Sequence, residues 1–131
     1  MNEIFDLVQS TLDTILSNDG IRVYWGRRAE DDKANPTEYV IYDLDGDPAE
    51  VSADGDVLFR MTGVSLQYYI KHSVARTYKG RQQSFERMEQ MMEAMRGAGF
   101  GCPSGWSEIG DVDEIGFATF RAEFEIPREM E

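Results

Sequence analysis

The spacing of apolar residues predicts an amphipathic helix at the start of the chain. Between residues 3 and 17, Ile4, Val8, Leu12 and Ile15 recur every three or four positions, and Phe5 and Leu16 widen the same stripe. This period is that of an α-helix with one buried face. The run Asn18-Asp19-Gly20 is expected to end it.

A second helix is predicted over residues 82–96, where Gly97 and Gly99 end the pattern. One side of it carries Phe85, Met88, Met91, Met92 and Met95. At helical spacing these side chains are expected in the core. The alternative is an adaptable methionine-rich binding face.

Period-two patterns predict the strands. Residues 21–25 and 39–42 favour short strands, and residues 57–71 favour a long one whose outer end projects beyond the core. Leu58, Val64, Leu66, Tyr68 and Ile70 share one face of the long strand, which Arg60 and Thr62 interrupt.

The last third of the chain predicts a hairpin that turns near residues 111–114 and returns along residues 116–126. One face of the returning strand carries Ala118, Phe120, Ala122, Phe124 and Ile126, and the other carries Thr119, Arg121, Glu123 and Glu125. This strand is therefore expected to bury one side only.

The element order is helix, short strand, two strands, helix, two strands. It predicts an α+β fold, a single domain over residues 1–131, with two helices on one face of a mostly antiparallel or mixed sheet of about four to five strands. The 131 residues, 41% of them hydrophobic, are enough for one core.

The net charge of −12 predicts that the molecule repels nucleic acid and anionic membranes. Sequence-specific nucleic-acid binding and a membrane partner are therefore not expected. The lone Cys102 excludes an internal disulfide, and we find neither a signal-peptide pattern nor an apolar run near the roughly 20 residues that span a bilayer. A reducing cytoplasm is the expected site of synthesis.

Candidate chemistry is sparse. Asp43, Asp45 and Asp47 have the alternating spacing that opens a calcium loop, but Pro48 and Asp54 stand where that loop needs glycine and glutamate. Solvated turn residues are the favoured interpretation, with a cation as the minor alternative. Because His72 and Cys102 are single and distant in sequence, no enzyme activity, metal or other cofactor is expected.

Charged residues are distributed unevenly along the chain, and this pattern is more informative than the candidate metal or catalytic residues. A basic segment, residues 71–81, carries Lys71, Arg76, Lys79 and Arg81, and Arg87 follows it. An acidic segment, residues 43–56, carries Asp43, Asp45, Asp47, Glu50, Asp54 and Asp56, and Glu38 precedes it. The basic segment of one copy can meet the acidic segment of the next, and such head-to-tail contacts can close a ring. The alternative is a merely solvated, patchy surface.

A polar loop is predicted over residues 27–37. Its charged residues are Arg27, Arg28, Asp31, Asp32 and Lys33. We expect it to become ordered only on contact with a partner, and a plain disordered loop is the alternative.

The succession NPTEYVIYDLD, an acidic Asp-Gly connection, VSLQYYIKHS, a helix ending MRGAGF and the strand FATFRAEFEI resembles the tail-terminator (tail-to-head joining) family of long-tailed bacteriophages. The resemblance covers nearly the whole chain and rests on element order. It implies a non-enzymatic subunit that forms a ring, usually a hexamer, on the end of the tail tube. That ring stops tube polymerisation and docks the head connector, so the expected location is the head–tail junction of a virion assembled in the host cytoplasm.

Two other functions remain open at this point. One is a head-completion or neck adaptor protein of the same virion. The other, from a different class, is an acidic DNA mimic or immunity-type inhibitor that covers a basic active site, which the pI of about 4.4 favours.

Overall fold

In the part of the chain that the structure describes, the fold is a mixed sheet of six strands with its helices on one side. The computed structural model describes residues 2–26, 37–44, 49–53, 56–101, 105–109 and 116–129. Three α-helices are described: α1 (Asn2–Leu16), α2 (His72–Ala75) and α3 (Tyr78–Gly97). The strands are β1 (Arg22–Trp25), β2 (Glu38–Leu44), β3 (Ala49–Ala53), β4 (Asp56–Lys71), β5 (Ser107–Ile109) and β6 (Phe117–Glu129). The predicted α+β class is confirmed.

The sheet has the order β1-β2-β4-β6-β5, with β1 parallel to β2 and the other neighbours antiparallel. Strand β4 is the central element. β6 pairs with one edge of β4. On the other edge, β2 pairs with residues 64–70 and β3 pairs with residues 56–61. At about 3.3 Å per residue, the 16 residues of β4 span roughly 50 Å. The helices are shorter than this, so the sheet extends past them.

The main core lies between the helices and the sheet. Alternate residues of β4 and β6 face it, and α1 and α3 cover them with stripes at helical spacing. The most fully buried members are Val8, Leu12, Leu16, Val40, Val64, Leu66, Tyr68, Ile70, Met91, Met95 and Phe124. These residues confirm the predicted helical stripes and the shared face of the long strand from Val64 onward.

A second, smaller cluster lies on the opposite face of the sheet. The rings of Tyr39 and Tyr69 stack at 4.7 Å, and Phe117 meets Tyr39 edge-on at 5.4 Å. All three side chains are buried, and Thr119 beside them is also buried. The expectation that β6 buries one side only is therefore wrong at its start, because aromatic neighbours on β2 and β4 shield that end.

Three further expectations are corrected. The acidic connection, predicted to be turn, contains β3, which pairs with the outer part of β4. The second long helix begins at Tyr78 rather than Gln82, because Thr77 caps it. Thr62, predicted to interrupt the buried face, is itself buried.

Candidate functional site

The basic segment lies at one end of the sheet, where β4 ends and the chain turns through α2 into α3. Thr77 holds this corner: its Oγ1 accepts a hydrogen bond from the Gly80 N–H at 3.0 Å and donates one to the Val74 carbonyl at 2.8 Å. A side chain at Gly80 would lie 2.0 Å from that carbonyl oxygen, so the corner is closely packed. It presents the basic side chains on a fixed support.

The predicted basic residues are accessible at this corner. Arg76, Lys79 and Arg81 are exposed, and Lys71 is half-buried. The ion pairs between residues that the structure describes involve Arg87 and Arg121 and none of these four basic residues.

The acidic segment lies toward the opposite end of β4. Asp43 is exposed near the end of β2, and the backbones of Glu50 and Asp56 lie in β3 and at the start of β4. Asp45, Asp47 and Asp54 fall outside the described residues. The acidic segment is thus partly strand, and it borders the outer part of the sheet.

The two charged segments are far apart within one chain. Asp43 pairs in register with Ser65, six residues before Lys71, which corresponds to about 20 Å along β4. Asp56 and Lys71 stand at the two ends of that strand, roughly 50 Å apart by the same measure. Among the described positions, neither Asp43 nor Asp56 is therefore close enough to Lys71 to form an ion pair with it inside one subunit.

Arg87 and Glu38, the charged residues next to the two segments in the sequence, are buried instead. Arg87 contacts Asp19 at 2.6 Å and Glu38 at 3.5 Å, and the Tyr68 hydroxyl donates a hydrogen bond to the same Glu38 carboxylate. Arg87 and Glu38 are both nearly inaccessible. They join α3 to β2 within the subunit, so they contribute nothing to its surface charge.

This environment alters two ionisation equilibria. Burial raises the pKa of Tyr68, and the Glu38 carboxylate raises it further. Burial acts to lower the pKa of Arg87, but the hydrogen bond to Asp19 and the charge of Glu38 outweigh it, so that the pKa is raised. Arg87 is held as a cation and Tyr68 as a neutral donor.

A groove that sequence reasoning missed lies between α3 and the β5 side of the sheet. It measures about 550 Å³, and Phe85, Met92 and Trp106 provide much of its apolar lining. Its rim carries Glu89, Glu93 and Glu108, together with Arg96. Trp106 is held in place by donating a hydrogen bond from its Nε1 to the Met88 carbonyl at 2.9 Å.

Phe85 was predicted to be in the core, and this is wrong. It is 55% exposed, because Ser84, Arg87, Met88 and Met91 occupy the buried arc of α3 and Phe85 lies at its border. Of the four predicted methionines, Met88, Met91 and Met95 are core residues, and Met92 is half-buried in the groove. In the sequence, the only indication of this groove was Phe85, which lies seven residues, or about two helical turns, after Tyr78.

Most of the remaining sequence candidates cannot be placed in the fold. The predicted loop residues Arg27, Arg28, Asp31, Asp32 and Lys33 lie outside the described residues, as does Cys102, and His72 is half-buried. Within the described ranges, no group of three or more His, Cys, Asp or Glu side chains could hold a metal ion. None of the helices in that part of the chain is both long and apolar enough to cross a membrane.

Comparison with known proteins adds little. No protein-family model and no curated protein matches the chain. Among solved structures, one chain whose name states no function aligns over 96% of both chains, with 12% sequence identity and a TM-score of 0.47.

Proposed function

We propose that this protein is a tail terminator, a subunit that forms a ring on the end of a bacteriophage tail tube and stops its growth. The observation that carries the proposal is the placement of unlike charges at opposite ends of one long strand. A subunit with complementary ends forms head-to-tail contacts, and such contacts close into a ring when the rotation between neighbours permits.

The joint of that ring uses the basic corner of one subunit and the acidic segment of the next. Arg76, Lys79 and Arg81 are exposed on a rigid support. The acidic segment contains β3, which pairs with the outer part of β4. Charge complementarity sets which surfaces meet and in which orientation.

The overall charge also suits a ring around a DNA channel. A net charge of −12 gives the assembled ring a strongly negative potential, which disfavours binding of phosphates as the genome passes. The element order on which the resemblance rests supports the proposal as well: an amphipathic helix, the β2–β4 strands, α3 and the pair β5 and β6. The proposed partners are copies of the same chain, the tube protein and the head connector.

The test is a capping assay with the tail-tube protein of the same virus. We expect wild-type protein to shorten growing tubes, as measured by electron microscopy. The triple variant Arg76→Glu, Lys79→Glu and Arg81→Glu should remain folded and leave tubes long. Arg96→Glu, which reverses an exposed charge elsewhere on α3, is the control and should cap normally. Capping by the folded triple variant would sink the proposed joint, and absence of capping by the wild type would sink the function.

A further inference from the structure

The sheet face that turns away from the helices carries an acidic depression where β2, β4 and β6 run side by side. Its floor is the central strand, where Gly63 and Ser65 have little or no side chain. Asp43 on β2 and Glu123 on β6 are both in register with Ser65, so they stand on its two sides. Glu125, in register with Gly63, extends the β6 wall. This acidic trough measures about 410 Å³.

The trough presents more negative than positive charge. Asp43 and Glu123 are exposed, and Glu125 is half-buried. Arg121 also lines the trough and contacts Glu123 at 3.0 Å, which offsets one of the three carboxylates. The two walls stand two strand spacings apart, or about 10 Å. A side chain with a cation on each side of it can therefore contact both walls at once.

The basic corner carries a knob of that kind. Tyr78, the first residue of α3, is 80% exposed, and its hydroxyl accepts a hydrogen bond from the Gln82 amide at 3.2 Å, which orients the ring. At about 100° per residue, the exposed Lys79 projects to one side of Tyr78 and the exposed Arg81 to the other. The knob is thus an aromatic side chain flanked by two cations on a fixed backbone.

We infer that Tyr78 of one subunit enters the acidic trough of the next, with Lys79 and Arg81 against its two walls. The small floor residues leave room for the ring, and the wall carboxylates accept hydrogen bonds from both cations. The Tyr78 hydroxyl still has its own hydrogen to donate to a carboxylate. This inference rests on the proposed function, because it assigns the residues of the ring joint and adds the β6 carboxylates to it.

The knob cannot enter the trough of its own chain. Tyr78 belongs to the helical layer, whereas the trough opens on the other face of the sheet. Each subunit therefore has one knob and one trough, and the contact between them is head to tail, as a ring requires. Tyrosine and arginine are also the residue types that supply much of the binding energy in protein interfaces.

The first test uses cross-linking between two different proteins. Gln82→Cys, beside the knob, and Ser65→Cys, on the trough floor, are made separately in a Cys102→Ser background, so that each protein has a single thiol. A short thiol-to-thiol cross-linker, added to the protein alone and to tube ends, should join the two proteins in a mixture and neither to itself. Gln90→Cys, exposed further along α3, is the control for Gln82→Cys. No cross-link in the mixture, or an equal yield with the control, would overturn the contact.

The second test reverses the β6 wall. Glu123→Lys with Glu125→Lys should raise the protein concentration needed to cap tubes by about tenfold or more, because like charges then meet across the joint. Glu3→Lys with Asp6→Lys changes the net charge equally at exposed positions on α1 and is the control that should cap normally. Circular dichroism checks that both variants are folded. Equal capping by the two variants would reject the assignment of the β6 wall.

The third test removes the knob. Tyr78→Ala should also weaken capping by about tenfold, whereas Tyr78→Phe keeps the ring and should retain most of it. Phe85→Ala, which removes another exposed aromatic ring from α3, should cap normally. Normal capping by Tyr78→Ala would reject the knob.

This contact and the terminator function fail separately. If wild-type protein caps tubes and the Glu123, Glu125 and Tyr78 variants cap equally well, the function stands and the contact is wrong. If the cross-link between Gln82→Cys and Ser65→Cys forms but wild-type protein caps no tubes, the contact stands and the function is wrong.

Discussion

The guanidinium of Arg87, on α3, lies 2.6 Å from the carboxylate of Asp19 in the turn that follows α1. Glu38 of β2 lies on its other side, and Tyr68 of β4 donates to Glu38. Arg87 and Glu38 are nearly inaccessible, and Arg87 is the cation that neutralises the buried Glu38 carboxylate, while Asp19 is the closer partner of Arg87. This network joins the helical layer to the sheet, and it fixes the orientation of the helix that carries the proposed contact surfaces.

Arg87→Ala should therefore destabilise the fold strongly. Removing one partner leaves the Glu38 charge buried without compensation, a change that costs about 3 kcal/mol. Arg96→Ala, an exposed position on the same helix, should stay within about 0.5 kcal/mol of the wild type. Urea denaturation measures both. Equal effects at the two positions would show that the buried network adds no stability.

Stability should fall at alkaline pH because of Tyr68. Its pKa is raised in the folded protein, so the unfolded chain releases this proton first. The resulting stabilisation is complete below the unfolded pKa of about 10 and is lost as the pH rises toward the folded value. We expect Tyr68→Phe to reduce the decline above pH 10 by up to about 1.4 kcal/mol per pH unit. Identical slopes in the two proteins would contradict the assignment.

The corner that supports the basic segment should not tolerate a side chain at Gly80. A Cβ there would lie 2.0 Å from the backbone oxygen of Val74, which cannot move without disrupting α2. Gly80→Ala should cost about 2 kcal/mol or more. Gly97→Ala is the matched control, because a Cβ at Gly97 meets nothing within 4 Å and alanine favours helix. Thermal melts should show opposite shifts, and a neutral Gly80→Ala would contradict the close packing.

The sequence predicted much of this fold because periodicity reports burial directly. The stripe Ile4, Val8 and Leu12, and the alternation from Val64 to Ile70, required no tertiary information. The same signal fails where a neighbouring element decides burial. Thr119 is polar by type, yet it is buried on a face shielded by Tyr39 and Tyr69.

Charge patterns were predicted less well, because sequence does not distinguish an exposed ion from a buried pair. Arg87 and Glu38 belong to the basic and acidic runs by position, yet they neutralise each other inside one subunit. β3 was missed because the Asp-Gly pairs on both sides of it in the sequence are typical of turns and dominate the local pattern. The groove depended on the position of Trp106 against α3, which is a long-range contact without a local signal.

The most direct test of the ring joint mixes two defective proteins in the tube-capping assay. One carries Arg76→Glu, Lys79→Glu and Arg81→Glu, and the other reverses every carboxylate of the acidic segment: Asp43→Lys, Asp45→Lys, Asp47→Lys, Glu50→Lys, Asp54→Lys and Asp56→Lys. Each alone has like charges at both sides of every joint and should fail to cap. The mixture can alternate around a ring with opposite charges at every joint, so we predict that it restores short, capped tubes. Tubes that stay as long with the mixture as with either variant, while wild-type protein caps them, would contradict the head-to-tail joint.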